Sequence, residues 1–227
     1  MQMRNLLALF GVLLFGAGLV MAISGANDLT VISRTHWAGN IAASDTTEGG
    51  NITALNINGT TLTDRWASYY GNVTGTIALT DGTNKVFSWA WTPDSGGEVC
   101  LSTASAFNYV GALAATAAGV DTAWGFTSGS DTAAKTFSGT CSNLVFSQAT
   151  VTSPIKITHI GSSTFTTCGI QTAVGTAKAN FGFCTPIQNS TAGKAYNNVA
   201  SNYEVMVPTA DTTPTSTEQY YFYMELN

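Results

Sequence analysis

Tyr220-Tyr221-Phe222-Tyr223-Met224-Glu225-Leu226 is the stretch that decides the fold. Tyr220, Phe222, Met224 and Leu226 alternate with Tyr221, Tyr223 and Glu225, the period of a β-strand with one face suited to a core and an amphipathic opposite face. Working back towards the N-terminus, the same short, alternating runs recur at Tyr203–Val207, Phe181–Cys184, Ile155–Ile160, Leu144–Ser147 and Glu98–Thr103. Residues 73–79 and 85–91 flank Asp81-Gly82-Thr83-Asn84 and read as a β-hairpin, with Phe87, Trp89 and Trp91 on one face. Ile52–Ile57, closed by Asn58-Gly59, predicts one more strand. Phe107, Val110, Leu113, Ala114 and Ala117 have helical spacing, which places one short helix in the Ala- and Gly-rich stretch 104–119. Many short strands parted by Gly, Asn, Asp and Ser turns predict an all-β chain, an antiparallel β-sandwich of jelly-roll type with an N-terminal extension strand.

Only 9% of the residues are Asp, Glu, Lys or Arg, against about 25% in ordinary soluble domains. Thr, Ser, Asn and Gly take their place, as suits a chain built for outside the cell. Arg4 followed by the apolar run Leu6–Ala22 reads as a signal peptide over residues 1–22, with cleavage after Ala22 or Ala26. A retained anchor is the rival reading, since about 20 apolar residues span a bilayer. Residues 23–50 form a sparse leader, and residues 51–227 form one sandwich domain. The leader has too few apolar anchors to fold alone; Leu29, Val31, Ile32, Trp37 and Ile41 are its candidate assembly residues. A net charge of −5 with eight basic residues leaves no footprint for nucleic acid, and no membrane contact is expected once residues 1–22 are removed.

Cys100, Cys141, Cys168 and Cys184 make an even set in an exported domain, which predicts two disulfides. Nearest-in-sequence pairing favours Cys100–Cys141 with Cys168–Cys184. No pair has CxxC spacing and both histidines, His36 and His159, lie far from any cysteine, so a zinc site is not expected.

No nucleophile elbow, metalloprotease helix, P-loop or dinucleotide fingerprint occurs, so no enzymatic activity, cofactor or resident metal is expected. His159 alternates with Ile155 and Ile157 and reads as a strand residue at the core edge, while His36 beside Trp37 reads as a surface or assembly residue. Asp81, Asp94, Asp121, Asp131 and Asp211 sit beside Gly, Thr, Ser or Pro, where Asp caps its own turn. N-glycosylation sequons begin at Asn51, Asn58, Asn72 and Asn189, a number that chance explains; three of them cluster at the start of the sandwich domain. Gly71-Asn72 predicts a tight left-handed bend, with Tyr69 and Tyr70 covering a core end or an interface.

The block Trp66-Ala-Ser-Tyr69-Tyr70-Gly71-Asn72-Val73-Thr74-Gly75, the later Trp89, Trp91 and Gly97-Glu98-Val99, and the terminal Tyr220–Leu226 resemble a family of secreted, mostly archaeal surface proteins. The likeness runs from about residue 48 onward, and Cys100 stands where that family's pattern has Tyr. The resemblance implies an exported, sheet-rich domain akin to subunits of extracellular fibres, and it transfers no catalytic residue. Together with the sparse leader it predicts a pilus-like homopolymer in which the leader of one subunit completes the sheet of the next, with glycans as a further covalent partner. The alternative is a carbohydrate-binding or adhesive surface module that uses exposed Trp and Tyr.

Overall fold

The computed structural model describes residues 23–36, 44–147, 149–173, 175–209 and 217–227. Its frame is an antiparallel sheet of seven strands, β1 (Ser24–Gly25), β5 (Gly97–Ser102), β6 (Leu113–Ala114), β9 (Ile155–Thr158), β10 (Thr166–Gln171), β11 (Phe181–Pro186) and β13 (Tyr221–Leu226). The order is β1-β13-β5-β11-β10, and β6 and β9 share the far edge of β10. A second sheet has two strands, β2 (Trp66–Gly71) and β12 (Tyr203–Pro208). Two free-standing hairpins complete the set, β3 (Thr76–Thr80) with β4 (Lys85–Ala90), and β7 (Leu144–Phe146) with β8 (Ala149–Val151). The all-β, antiparallel expectation holds, but the strands divide seven and two, without the even split of a jelly roll.

Both faces of the large sheet are covered, so its strands are buried on both sides. On one face, Leu101, Val99, Phe181 and Phe183 pack against Val205 and Val207 of β12 and against Trp124, whose ring stands edge-on to Phe181 and Phe183 at 5.7 Å from each. On the other face, residues 104–112 and the β7–β8 hairpin lie over Cys100, Cys168, Cys184 and Tyr223. Tyr109 is the hub of that layer, 4.8 Å from Phe107, 5.2 Å from Phe146 and 5.7 Å from Tyr223 between ring centres. The Tyr223 hydroxyl donates to the Ala104 carbonyl at 2.5 Å. This covering explains why Tyr223 and Glu225, on the face expected to be amphipathic, are buried.

The helix lies later than the spacing predicted. Helix α1 spans Ala117–Trp124, whereas Phe107, Tyr109, Ala112 and Ala115 cover the sheet as turns and a short strand. Its ends are set by caps: the Thr116 hydroxyl accepts the Gly119 N–H at 3.1 Å, and Gly125 closes it in the left-handed conformation. Asp121, expected to cap its own turn, instead reaches helix α2 (Ala133–Thr136) and accepts the N–H groups of Ala133 and Ala134. Asp131 pairs with Arg65 at 3.0 Å. Asp81 follows expectation; its carboxylate accepts the N–H groups of Thr83 and Asn84, and these bonds hold its pKa below the usual value.

The disulfides are Cys100–Cys184 and Cys141–Cys168, not the sequence-neighbour pairs. The reason is register. Cys184 on β11 lies directly opposite Cys100 on β5 and also opposite Cys168 on β10. The Ile187 N–H donates to the Gly97 carbonyl, which by alternation makes Cys184–Cys100 a non-hydrogen-bonded pair, the closer kind, with Cα atoms 4.0 Å apart. The Thr172 N–H donates to the Asn180 carbonyl, so Cys184–Cys168 is a hydrogen-bonded pair, the wider kind. Cys168 turns instead to Cys141, which precedes β7.

Two further expectations are corrected. Ile52–Ile57 forms no strand; residues 51–63 run without secondary structure, and Ile52, Leu55 and Ile57 are exposed. Strand propensity needs a neighbour to pair with, and no partner is present among the described residues. Gly71 and Asn72 do not have positive φ, so the left-handed bend is not made there. Gly71 ends β2 in ordinary extended backbone, and Val73 enters the core.

Candidate assembly site

Strand β13 lies one strand in from the edge of the large sheet, flanked by the short β1. One side is fully paired with β5 from Tyr221 to Leu226. Among the described residues the other side carries only β1, with Ser24 opposite Met224 and Gly25 opposite Tyr223, and the Ala26 N–H donating to the Phe222 carbonyl at 2.9 Å. Ile23 is buried against the second core layer and anchors this contact. Beyond Ala26 the described residues of the leader form no strand, and Leu29, Val31 and Ile32 are exposed. Trp37 and Ile41 lie outside the described residues, as does Asp211.

Beside this edge is a cleft of about 540 Å³ lined by Leu29, Val73, Gly75, Ile77, Phe222 and Leu226, among others. A Cβ at Gly75 would meet the tip of the Leu226 side chain, which would have to shift to admit it. Phe222 of its lining packs against Tyr69, the two rings edge-on at 5.1 Å. Burial raises the Tyr69 pKa, and the Arg34 charge partly offsets that shift. Tyr70 points outward and stacks edge-on with exposed Tyr196 at 5.8 Å, with the Asn197 amide donating to its hydroxyl.

Asn72 is exposed and lines the cleft, and Asn51 and Asn58 are exposed on the unpaired run. Asn189 differs: its side-chain oxygen accepts the Thr191 N–H at 2.9 Å, so this amide is already engaged in a turn. His36 is exposed in the leader.

Two buried polar groupings escaped the sequence reading. His159 Nδ1 lies 2.6 Å from Glu204 and Nε2 lies 2.8 Å from the Thr167 hydroxyl, joining the end of β9 to β12 and β10. The order resembles a hydrolytic triad, but Thr167 is wholly buried and its hydroxyl oxygen also accepts the Met206 N–H at 2.8 Å, leaving no approach for a substrate. Burial would raise the Glu204 pKa; hydrogen bonds from His159 and the Tyr196 N–H outweigh it and hold the carboxyl below its usual value.

The other grouping is Glu98 and Glu225, directly opposite across β5 and β13, each with one buried carboxylate oxygen lacking a partner. Glu225 accepts the N–H and hydroxyl of Ser147 in the β7–β8 turn. Burial, reinforced by the Glu225 charge, raises the Glu98 pKa to about 7. The folded chain therefore keeps a proton that the unfolded chain loses near pH 4.5. Stability falls as pH rises from there to about 7, by at most about 3 kcal/mol. Glu98→Gln should remove this loss, raising Tm by several degrees at pH 8 and leaving it nearly unchanged at pH 4. Equal effects at both pH values in thermal unfolding would refute the shared burial.

Among the described residues, no helix is long and apolar enough to cross a membrane, and no group of three or more His, Cys, Asp or Glu could hold a metal ion. Two disulfides fit an oxidising, extracellular setting. No protein-family model matches the chain, and no curated protein or solved structure is significantly similar to it.

Proposed function

We propose that the chain is the structural subunit of an extracellular filament, joined by addition of each leader to the β13 edge of the neighbouring subunit. The observation that carries this reading is the edge itself. Among the described residues, the chain's own leader takes only three backbone positions on β13, at Ser24, Gly25 and Ala26, and then departs with Leu29, Val31 and Ile32 exposed. A strand with backbone left unpaired among the described residues, beside a cleft that Val73, Ile77, Phe222 and Leu226 help to line, is a template for strand addition. The leader, at about 3.3 Å per extended residue, reaches roughly 80 Å. A head-to-tail contact of this kind does not close on itself and so propagates a fibre.

Each buried aliphatic anchor contributes about 1.5–3 kcal/mol. Replacing Leu29, Val31 and Ile32 together by Asp should therefore abolish fibres seen by electron microscopy while leaving a folded domain, and a synthetic leader peptide should cap the exposed edge. Fibres of normal length from the triple variant would refute strand donation. The second reading, an adhesive module, draws on the exposed Tyr70–Tyr196 pair beside the Asn197 amide. A mature chain that elutes as a stable monomer with its leader intact would favour it.

A further inference from the structure

Glu225 is 2% exposed, and one of its carboxylate oxygens is buried without a partner. Ser147 serves the other oxygen through its N–H and hydroxyl, and the group facing it across β5 is Glu98, a second carboxyl with an unpartnered buried oxygen. No Lys, Arg or His pairs with either residue among the described residues. A buried charge is costly unless it is paired, so the free oxygen of Glu225 calls for a cation on the flank away from Glu98. That flank is β1.

The register says which atom arrives there. Ser24 lies opposite Met224 and Gly25 opposite Tyr223, so one further step sets Ile23 opposite Glu225. The Ile23 side chain is buried in the same layer as Tyr223, which shares the Glu225 face of β13. The Ala26 N–H bonds to the Phe222 carbonyl, so by alternation Ala26 and Ser24 occupy hydrogen-bonded sites. Ile23 and Glu225 then form a non-hydrogen-bonded pair, the kind with Cα atoms about 4.5 Å apart. The main-chain nitrogen of Ile23 therefore owes no bond to the β13 ladder.

The apolar run Leu6–Ala22 ends at this residue. Of the two cleavage sites that the sequence offers, the one after Ala26 would remove Ile23 from the core together with Ser24, Gly25 and Ala26 of the β13 contact. Cleavage after Ala22 keeps all four and frees the Ile23 nitrogen. We infer that the exported chain begins at Ile23 and that its α-ammonium group forms an ion pair with the buried carboxylate of Glu225. In the cleavage water adds its hydroxyl to the Ala22 carbonyl carbon, the C–N bond breaks, and the nitrogen takes the water's proton and one more from solvent. An α-amino group is mostly charged at pH 7, its ordinary pKa being about 7.7–8.0. Processing thereby completes the fold: it supplies the cation that the Glu225 site lacks and ties β1 to β13 by charge as well as by backbone. The pair lies within one chain and is independent of strand donation by the rest of the leader.

The test compares two full-length mature chains, one starting at Ile23 and one at Ala22, each released from a fusion by a protease that leaves no extra residue and each with both disulfides formed. The added residue preserves the Ile23 side chain and moves the ammonium group by about 3.3 Å. The Ile23 chain should melt several degrees higher at pH 7, and Glu225→Gln should bring the two starts to the same Tm. Should that variant fail to fold, labelling of the two unsubstituted chains decides: acetic anhydride should modify the Ile23 α-amine at least tenfold more slowly than the Ala22 α-amine, read by mass on the N-terminal peptide. N-terminal sequencing of the exported protein should give Ile23-Ser24-Gly25-Ala26. A first residue of Asn27, or a chain that retains residues 1–22, would overturn the processing step. Equal melting of the two starts, equal labelling, or a Tm difference that survives Glu225→Gln would overturn the ion pair.

Discussion

Replacing Cys184 by Ser is expected to lower stability by about 4 kcal/mol, the chain-entropy value for a crosslink enclosing a loop of this size. The bond to Cys100 spans 84 positions and ties β11 to β5 at the centre of the large sheet. Denaturant unfolding would show a lower midpoint with a larger slope, because the unfolded chain expands once the crosslink is lost. Peptide mapping of the unreduced parent chain should recover Cys100 with Cys184 and Cys141 with Cys168. Recovery of Cys168 with Cys184, which also lie opposite each other, would mean that the hydrogen-bonded and non-hydrogen-bonded sites are misassigned. In Cys141→Ser, the freed Cys168 thiol faces Cys184 across the hydrogen-bonded site, and Cys100–Cys184 should remain the main product because its site is the closer one.

His159→Leu is the second change with a large expected effect, a loss of about 3–5 kcal/mol, because it leaves the Glu204 carboxylate buried without its partner. The Tyr196 N–H bond to Glu204 survives but cannot offset that burial. Since the folded-state pKa of Glu204 is depressed, its contribution is present above the ordinary carboxylate range and is lost as pH falls through the folded value. The parent should therefore lose stability on acidification in a step that His159→Leu lacks, and Glu204→Gln in the same background should recover part of the loss. A His159→Leu chain as stable as the parent at pH 7 would refute the buried pair.

Where local pattern and tertiary partner agreed, the sequence was readable. Tyr221–Leu226, Tyr203–Pro208 and the Thr76–Ala90 hairpin carry strict alternation and clear turn residues, and all three form. The helix was misplaced because the residues at helical spacing share no face: Phe107 is buried over the sheet, whereas Val110 and Leu113 are exposed. The capping pair Thr116 and Gly125 marked the true ends. The disulfides were beyond local reading. β10, with Thr166, Thr167 and Gly169 around Cys168, has no alternating apolar signal, and without it the row Cys100-Cys184-Cys168 cannot be foreseen. For the candidate site, the exposed leader anchors were legible as too sparse to fold. The open edge that faces them depends on strand order, which no local pattern encodes.

The unpaired run from residue 51 to 63 separates each leader from its domain and has no secondary structure to shield its peptide bonds. It is the natural place for a protease to cut. In a polymer held by exchanged leaders, one such cut would leave the domain's two crosslinks and its neighbour's bound strand intact, yet the domain would no longer be tied covalently to the strand its neighbour holds. The filament would keep its shape at rest and part under pull, so shear resistance would report nicking before any change in mass per length did.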